Sequence, residues 1–135
     1  MPDSNREIAA RWFRDVWIDR RDDNTIDELL TNESLGHMEG GRVTGPTEFK
    51  LARNQLLAIF PDLQVKVEGI VAEGANVVTR WSAVATHTGS GSGLKATHRR
   101  VAFHGMSWHE IKDGKIVGGW DAWNQGALFE SLRTI

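Results

Sequence analysis

Apolar residues first recur along this chain at helical spacing. Ile8, Ala9, Trp12, Phe13, Val16 and Trp17 form one stripe, with Arg, Asp and Arg opposite, as in an amphipathic helix that turns one face to a core. Ser4 followed by Glu7 has capping-box spacing at its start. The polar run "DRRDDN" interrupts the stripe, and "NTIDELLT" predicts a short second helix, capped by Asn24 or Thr25, that buries Ile26, Leu29 and Leu30. "SLGHME" predicts a strand and "EGGR" a turn. "TGPTEFKLARNQLLAIF" predicts a third helix with Pro46 in its first turn, an apolar side of Phe49, Leu56, Leu57 and Phe60, and Pro61 as its stop.

From residue 63 the pattern alternates. Leu63, Val65 and Val67 face polar neighbours until Gly69 and Ile70 disturb the period, which predicts a bulge. "VVTRWSAVATHTG" and "KATHRRVAFHGMSWHEI" predict long strands separated by a flexible "SGSG". "KDGK" predicts a hairpin, because Asp113 and Gly114 accept positive φ. "IVGGWDAWN" predicts the last strand and "QGALFESLRTI" a tail of one helical turn. Helices followed by a meander of long strands predict an α+β fold, in which a curved, mixed or antiparallel sheet wraps around three N-terminal-half helices and leaves a pocket between them. At 135 residues the chain is expected to be one domain, 1–135.

Composition narrows the partners. A net charge of −2 with interspersed signs gives no footprint for nucleic acid or an anionic membrane. The absence of cysteine removes disulfides, thiolate nucleophiles and thiolate metal sites. The start carries no apolar signal segment and no apolar run has membrane-spanning length, so the expectation is a soluble cytoplasmic protein. The five histidines show no ligand spacing such as HExxH, so no metal is expected.

The segment "GGWDAWNQG" carries the strongest chemical signal. Alternation places Asp121 and Trp123 on one face of a strand and Trp120, Ala122 and Asn124 on the other. The odd-numbered face is expected to line the cavity, with Ser107 and His109 beside it from the adjacent strand. A carboxylate desolvated by tryptophan walls becomes a better base toward a proton next to a carbonyl. The competing reading of Asp121 is an acid hydrogen-bonded at a sheet edge or paired with an arginine. His37 either lines the pocket or closes a strand end through hydrogen bonds. Arg80 is either a solvent-facing or dimer-facing charge or a clamp on a carbonyl or carboxylate. His87 is expected to bond loop backbone. Trp12 and Trp17 are core by spacing, with Trp12 also reaching the pocket, whereas Trp81, Trp108, Trp120 and Trp123 could wall an aromatic-shaped cavity.

"TGPTEF", "VVTRWSAVATHTG", "DGKI" and "GGWDAWNQGALFESL", in this order, resemble the SnoaL-like polyketide cyclase or ester cyclase group of the cone-shaped NTF2-like fold. The resemblance implies an acid/base aspartate on the last strand, here Asp121, acting without metal or organic cofactor in an aldol-type ring closure. A histidine of that group falls here on Ser107, with His109 two residues on at the same parity. Where many relatives carry another aspartate, this chain has Asn124. The expected activity is cofactor-independent proton transfer on a small apolar or aromatic carbonyl compound. Two alternatives stand beside it: an epoxide hydrolase or hydratase using Asp121 and Arg80, and a small-molecule-binding protein without catalysis. A homodimer is expected under each, because the outer face of an open sheet in so small a chain needs cover.

Overall fold

The computed structural model describes residues 4–19, 23–39, 41–91 and 93–133. Helix α1, Asn5–Trp12, begins at Ser4, whose hydroxyl accepts from the Glu7 amide at 3.2 Å. It continues as a π-helical segment, Phe13–Asp19, where a regular helix was expected. The segment is tied down by Asp15, whose Oδ2 accepts from the Thr25 hydroxyl at 2.8 Å on α2, Asn24–Leu29. The middle of "DRRDDN", residues 20–22, lies outside the described residues. Strand β1, Leu30–Met38, starts earlier than "SLGHME" suggested and takes Leu30 from the predicted helix. Strand β2, Gly41–Thr44, and helix α3, Gly45–Ile59, follow.

The remaining strands are β3, Gln64–Glu73, β4, Asn76–Thr86, β5, Arg100–Lys112, and β6, Lys115–Trp123, and helix α4, Gln125–Arg133, runs well past the single turn expected. They form one six-stranded sheet in the order β2-β1-β6-β5-β4-β3. All pairings are antiparallel except β1 with β6, so the sheet is mixed. The β3–β4 register shifts between Val67 and Gly69, where the broken alternation predicted a bulge. The β5–β6 hairpin turns on Asp113 and Gly114 at φ of 51° and 77°, both left-handed as a tight two-residue turn demands. Asn124 ends β6 and caps α4, its side-chain oxygen accepting from the Ala127 amide at 3.3 Å.

One face of the sheet meets the helices. Along β4 the residues Val77, Thr79, Trp81, Ala83 and Ala85 are buried while their neighbours are less so. The β4–β5–β6 register is unbroken through the middle of the sheet and aligns three rows across it: Val77, His109, Gly119; Thr79, Ser107, Asp121; and Trp81, Gly105, Trp123. Gly105 is needed in the third row. A Cβ there would stand 2.6 Å from Trp123 Cβ and 2.7 Å from Trp81 Cζ2, far inside van der Waals contact, so only glycine lets the two indoles fold over β5. They meet edge to face at 6.1 Å. Gly119 plays a similar part for the His109 ring, whose Cδ2 would lie 3.2 Å from an added Cβ.

Candidate functional site

The second and third rows border a cavity of about 300 Å³. Its aromatic walls include Phe13 and Trp17 from the π-helical segment, Phe49 from α3, and Trp81, Phe103 and Trp123 from the sheet. Phe103 and Trp123 stack with centroids 4.8 Å apart. A smaller recess of about 50 Å³ adjoins it, walled by Trp12, His109 and Gly119. Asp121 and Ser107 belong to both hollows, which places the carboxylate where they meet.

Asp121 is held by a directed chain of hydrogen bonds. The Trp81 indole N–H donates to Ser107 Oγ at 3.0 Å, and Ser107 donates its own hydrogen to Asp121 Oδ1 at 2.5 Å. The direction is forced, since an indole N–H can only donate. Among the described residues no cation pairs with Asp121. Burial therefore dominates and raises its pKa above the ordinary 3.8, opposed only by the Ser107 bond, which lowers it. Ser107→Ala removes that opposition. The ionised fraction of Asp121 on the acid side of its midpoint is then expected to fall about tenfold, the worth of one hydrogen bond to a charged group. A carboxyl-carbon NMR titration reads this directly, and an unmoved midpoint contradicts it.

His109 lies under the ring edges of Trp12 and Phe13, at 6.1 and 6.2 Å between centroids. Its Nδ1 is buried without a partner among the described residues. Burial pulls its pKa from 6.5 down to about 4, so the imidazole is neutral at pH 7 and can offer one N–H and one lone pair.

Of the residues singled out in the sequence, Asp121, Ser107, His109, Trp123 and Trp12 are brought together. Two are not. His37 pairs in register with Trp120 and stacks on it at 5.3 Å with rings 10° apart, on the sheet face away from the cavity. Arg80 is exposed on the same outer face, opposite in parity to the buried Trp81 and Thr79. Trp108 and Trp120, two of the four strand tryptophans expected as walls, also point outward and are half-exposed. His104, opposite Ser82 in the unbroken β4–β5 register, is exposed on the outer face. His87 is fully buried beside Phe60, its Nδ1 accepting from the Thr97 amide at 3.3 Å, and stays in the loop framework.

Two buried polar residues escaped the sequence reading. Thr79, in the Asp121 row, is completely buried, and its Oγ1 has no partner among the described residues. Its parity with Trp81 was the available signal. Arg53 sits on the cavity-facing side of α3, 6 % exposed, where the i+4 spacing from Phe49 pointed. Among the described residues no group of three or more His, Cys, Asp or Glu could hold a metal ion, and no helix is long and apolar enough to cross a membrane.

A family model described as SnoaL-like polyketide cyclase matches residues 7–132. A protein from a Jannaschia species, assigned as a SnoaL-like polyketide cyclase, superposes with a TM-score of 0.88 at 21% identity, covering 97% of this chain and 92% of its own. AclR of Streptomyces galilaeus, assigned as a hydroxylase, gives 0.82 at 26% identity and covers 97% and 96%. IdmH of Streptomyces antibioticus, assigned as a polyketide cyclase, gives 0.82 at 21% identity and covers 98% and 100%. No curated protein matches the chain in sequence.

Proposed function

The chain belongs to the SnoaL-like polyketide cyclase family, and from that premise we propose that it catalyses cofactor-independent proton transfer on an apolar, carbonyl-containing small molecule, with Asp121 as the base. One observation carries the reading. Asp121 is a desolvated carboxylate without a cationic partner among the described residues, held by Ser107 at the junction of two hollows. Structural carboxylates in buried settings are ordinarily paired; this one is left basic instead, which suits removal of a proton next to a carbonyl.

The remaining groups follow from their places. The aromatic walls take the body of the substrate, and the recess takes its reacting carbonyl. There the neutral His109 donates a hydrogen bond to the oxygen as negative charge develops. Proton removal then yields an enolate able to close a ring in an aldol-type step or to be reprotonated elsewhere. The test is turnover of Asp121→Asn on a substrate found by screening aromatic ketones; wild-type turnover in that variant overturns the reading. The epoxide-opening alternative loses ground, because Arg80, its proposed clamp, lies on the opposite face of the sheet from Asp121.

A homodimer through the outer sheet face belongs to the same proposal. Met106, Trp108 and Trp120 are 51%, 49% and 45% exposed on the neighbouring strands β5 and β6, and the two indoles meet at 6.5 Å. His37, stacked on Trp120, extends this surface. An apolar cluster of this kind suits an interface. Light scattering at micromolar concentration is expected to give a dimer for the wild type and a monomer for Trp108→Glu; a monomeric wild type contradicts the assignment.

A further inference from the structure

The cavity has a second charged wall that the proton-transfer chemistry does not use. Phe49, Arg53 and Leu56 follow one another at helical spacing along the face of α3 that lines it. Arg53 is buried more deeply than any other arginine among the described residues. One of its terminal nitrogens, Nη2, donates to Asp23 Oδ1 at 2.7 Å and to Asn54 Oδ1 at 3.0 Å, and Nε donates to Asn54 Oδ1 at 3.2 Å. The other, Nη1, is buried and has no partner among the described residues. Arg42 on β2 lines the same cavity, exposed.

Leaving a guanidinium N–H group buried and unpaired is costly. A purely structural arginine joining α3 to Asp23 would be expected to satisfy both terminal nitrogens or to leave the second in water. Neither guanidinium pairs with Asp121, so base and cation occupy different parts of the cavity. Resting on the reading of the cavity as a small-molecule site, we propose that Arg53 binds an anionic group on the substrate, a carboxylate or its equivalent, away from the carbon that Asp121 deprotonates. The substrate class is then an aromatic or polycyclic keto acid rather than its neutral ester. With Nε and Nη2 already engaged, Nη1 is the nitrogen left to donate, and a charge-assisted bond from it favours a carboxylate over an ester, which carries no charge. Asp23 neutralises part of the Arg53 charge, and Arg42 supplies a second cation to the same wall.

The experiment compares 2-naphthoate with methyl 2-naphthoate, two probes with the same ring body. Binding is read by quenching of the cavity tryptophans and checked by calorimetry. The wild type is expected to bind the acid at least tenfold more tightly than the ester. Arg53→Met is expected to lose about tenfold or more in affinity for the acid while the ester stays within twofold, with Arg53→Lys between them. Equal affinity of the wild type for the two probes overturns the proposal without recourse to a variant. So does failure of the wild type to bind naphthoate at millimolar concentration, or a parallel loss of both probes in a folded Arg53→Met. Loss of acid-over-ester discrimination concerns Arg53 alone; the catalytic reading stands or falls separately on turnover of Asp121→Asn.

Discussion

Asp121→Asn is expected to fold as the wild type does and to turn over about a thousandfold more slowly, the middle of the range for removing a positioned base. The amide keeps the shape of the carboxyl and its Oδ1 can still accept from Ser107, so the Trp81–Ser107 chain keeps its terminus. Only the basicity is removed. The variant also has a stability signature that a loss of folding could not imitate. The folded pKa of Asp121 is raised by burial above 3.8, so its neutral form is the one the fold favours. The stability due to that neutral form is complete below 3.8 and is lost as pH rises through the folded value. The asparagine never ionises. At pH 7 its thermal midpoint is therefore expected to equal or exceed that of the wild type, and the advantage should vanish in acid. A variant less stable than the wild type at pH 7 argues against a strained carboxylate, and undiminished turnover argues against the base.

Acid is expected to unfold this protein through His109. Its pKa is 6.5 when free and about 4 when buried in the fold, so the neutral imidazole is the form that the native state favours. That stability is complete above 6.5 and is lost as pH falls toward 4. The difference amounts to about 3 kcal/mol, a sizeable share of the stability of a small domain. Urea midpoints measured from neutral pH to 4 should fall steeply in the wild type and much less in His109→Phe, whose ring can pack beneath Trp12 and Phe13. His87, also displaced downward, by burial first and by the charge of His98 second, is expected to add to the slope, and Asp121, whose raised pKa acts in the opposite sense, to subtract from it. An identical slope in the two proteins contradicts the assignment to His109. At so low a pKa the imidazolium is not populated at pH 7, which suits His109 to the part of a neutral hydrogen-bond donor.

Much of this was legible because a strand offers only two faces. Once Trp81 is inside, parity alone sends Arg80 out, and the same rule on β6 sends Trp120 out and Asp121 in. The bulge at Gly69 and the turn at Asp113-Gly114 were equally legible, since each depends on a local conformational need. His37 was not. Its face is set by the parallel pairing of β1 with β6 and by the irregularity between Leu30 and Leu35, which belong to tertiary contact rather than to any local pattern. Arg53 was hidden for a different reason: a charged residue among apolar neighbours on a helix reads as the solvent side, although its spacing from Phe49 said otherwise. The π-helical segment has no counterpart in the apolar stripe either, yet it sets both Phe13 and Trp17 on the cavity wall.

The strand order carries a consequence for how the protein comes into being. β6 follows every other strand in the chain, yet it lies between β1 and β5, and the Ser34 hydroxyl donates to Ile116 O across 82 residues. Until β6 is synthesised and inserted, β1 with β2 has nothing to join to the β3–β4–β5 meander, and both halves present raw edges. Contacts this distant in sequence close slowly. The carboxylate of Asp121 and the hydroxyl of Ser107, 14 residues apart on the β5–β6 hairpin, can meet locally, whereas the β1–β6 pairing must bridge the length of the sheet's sequence. The hairpin that carries the base can thus precede the closure that joins β1 to it, and the recess walled from both sides of that seam is completed last.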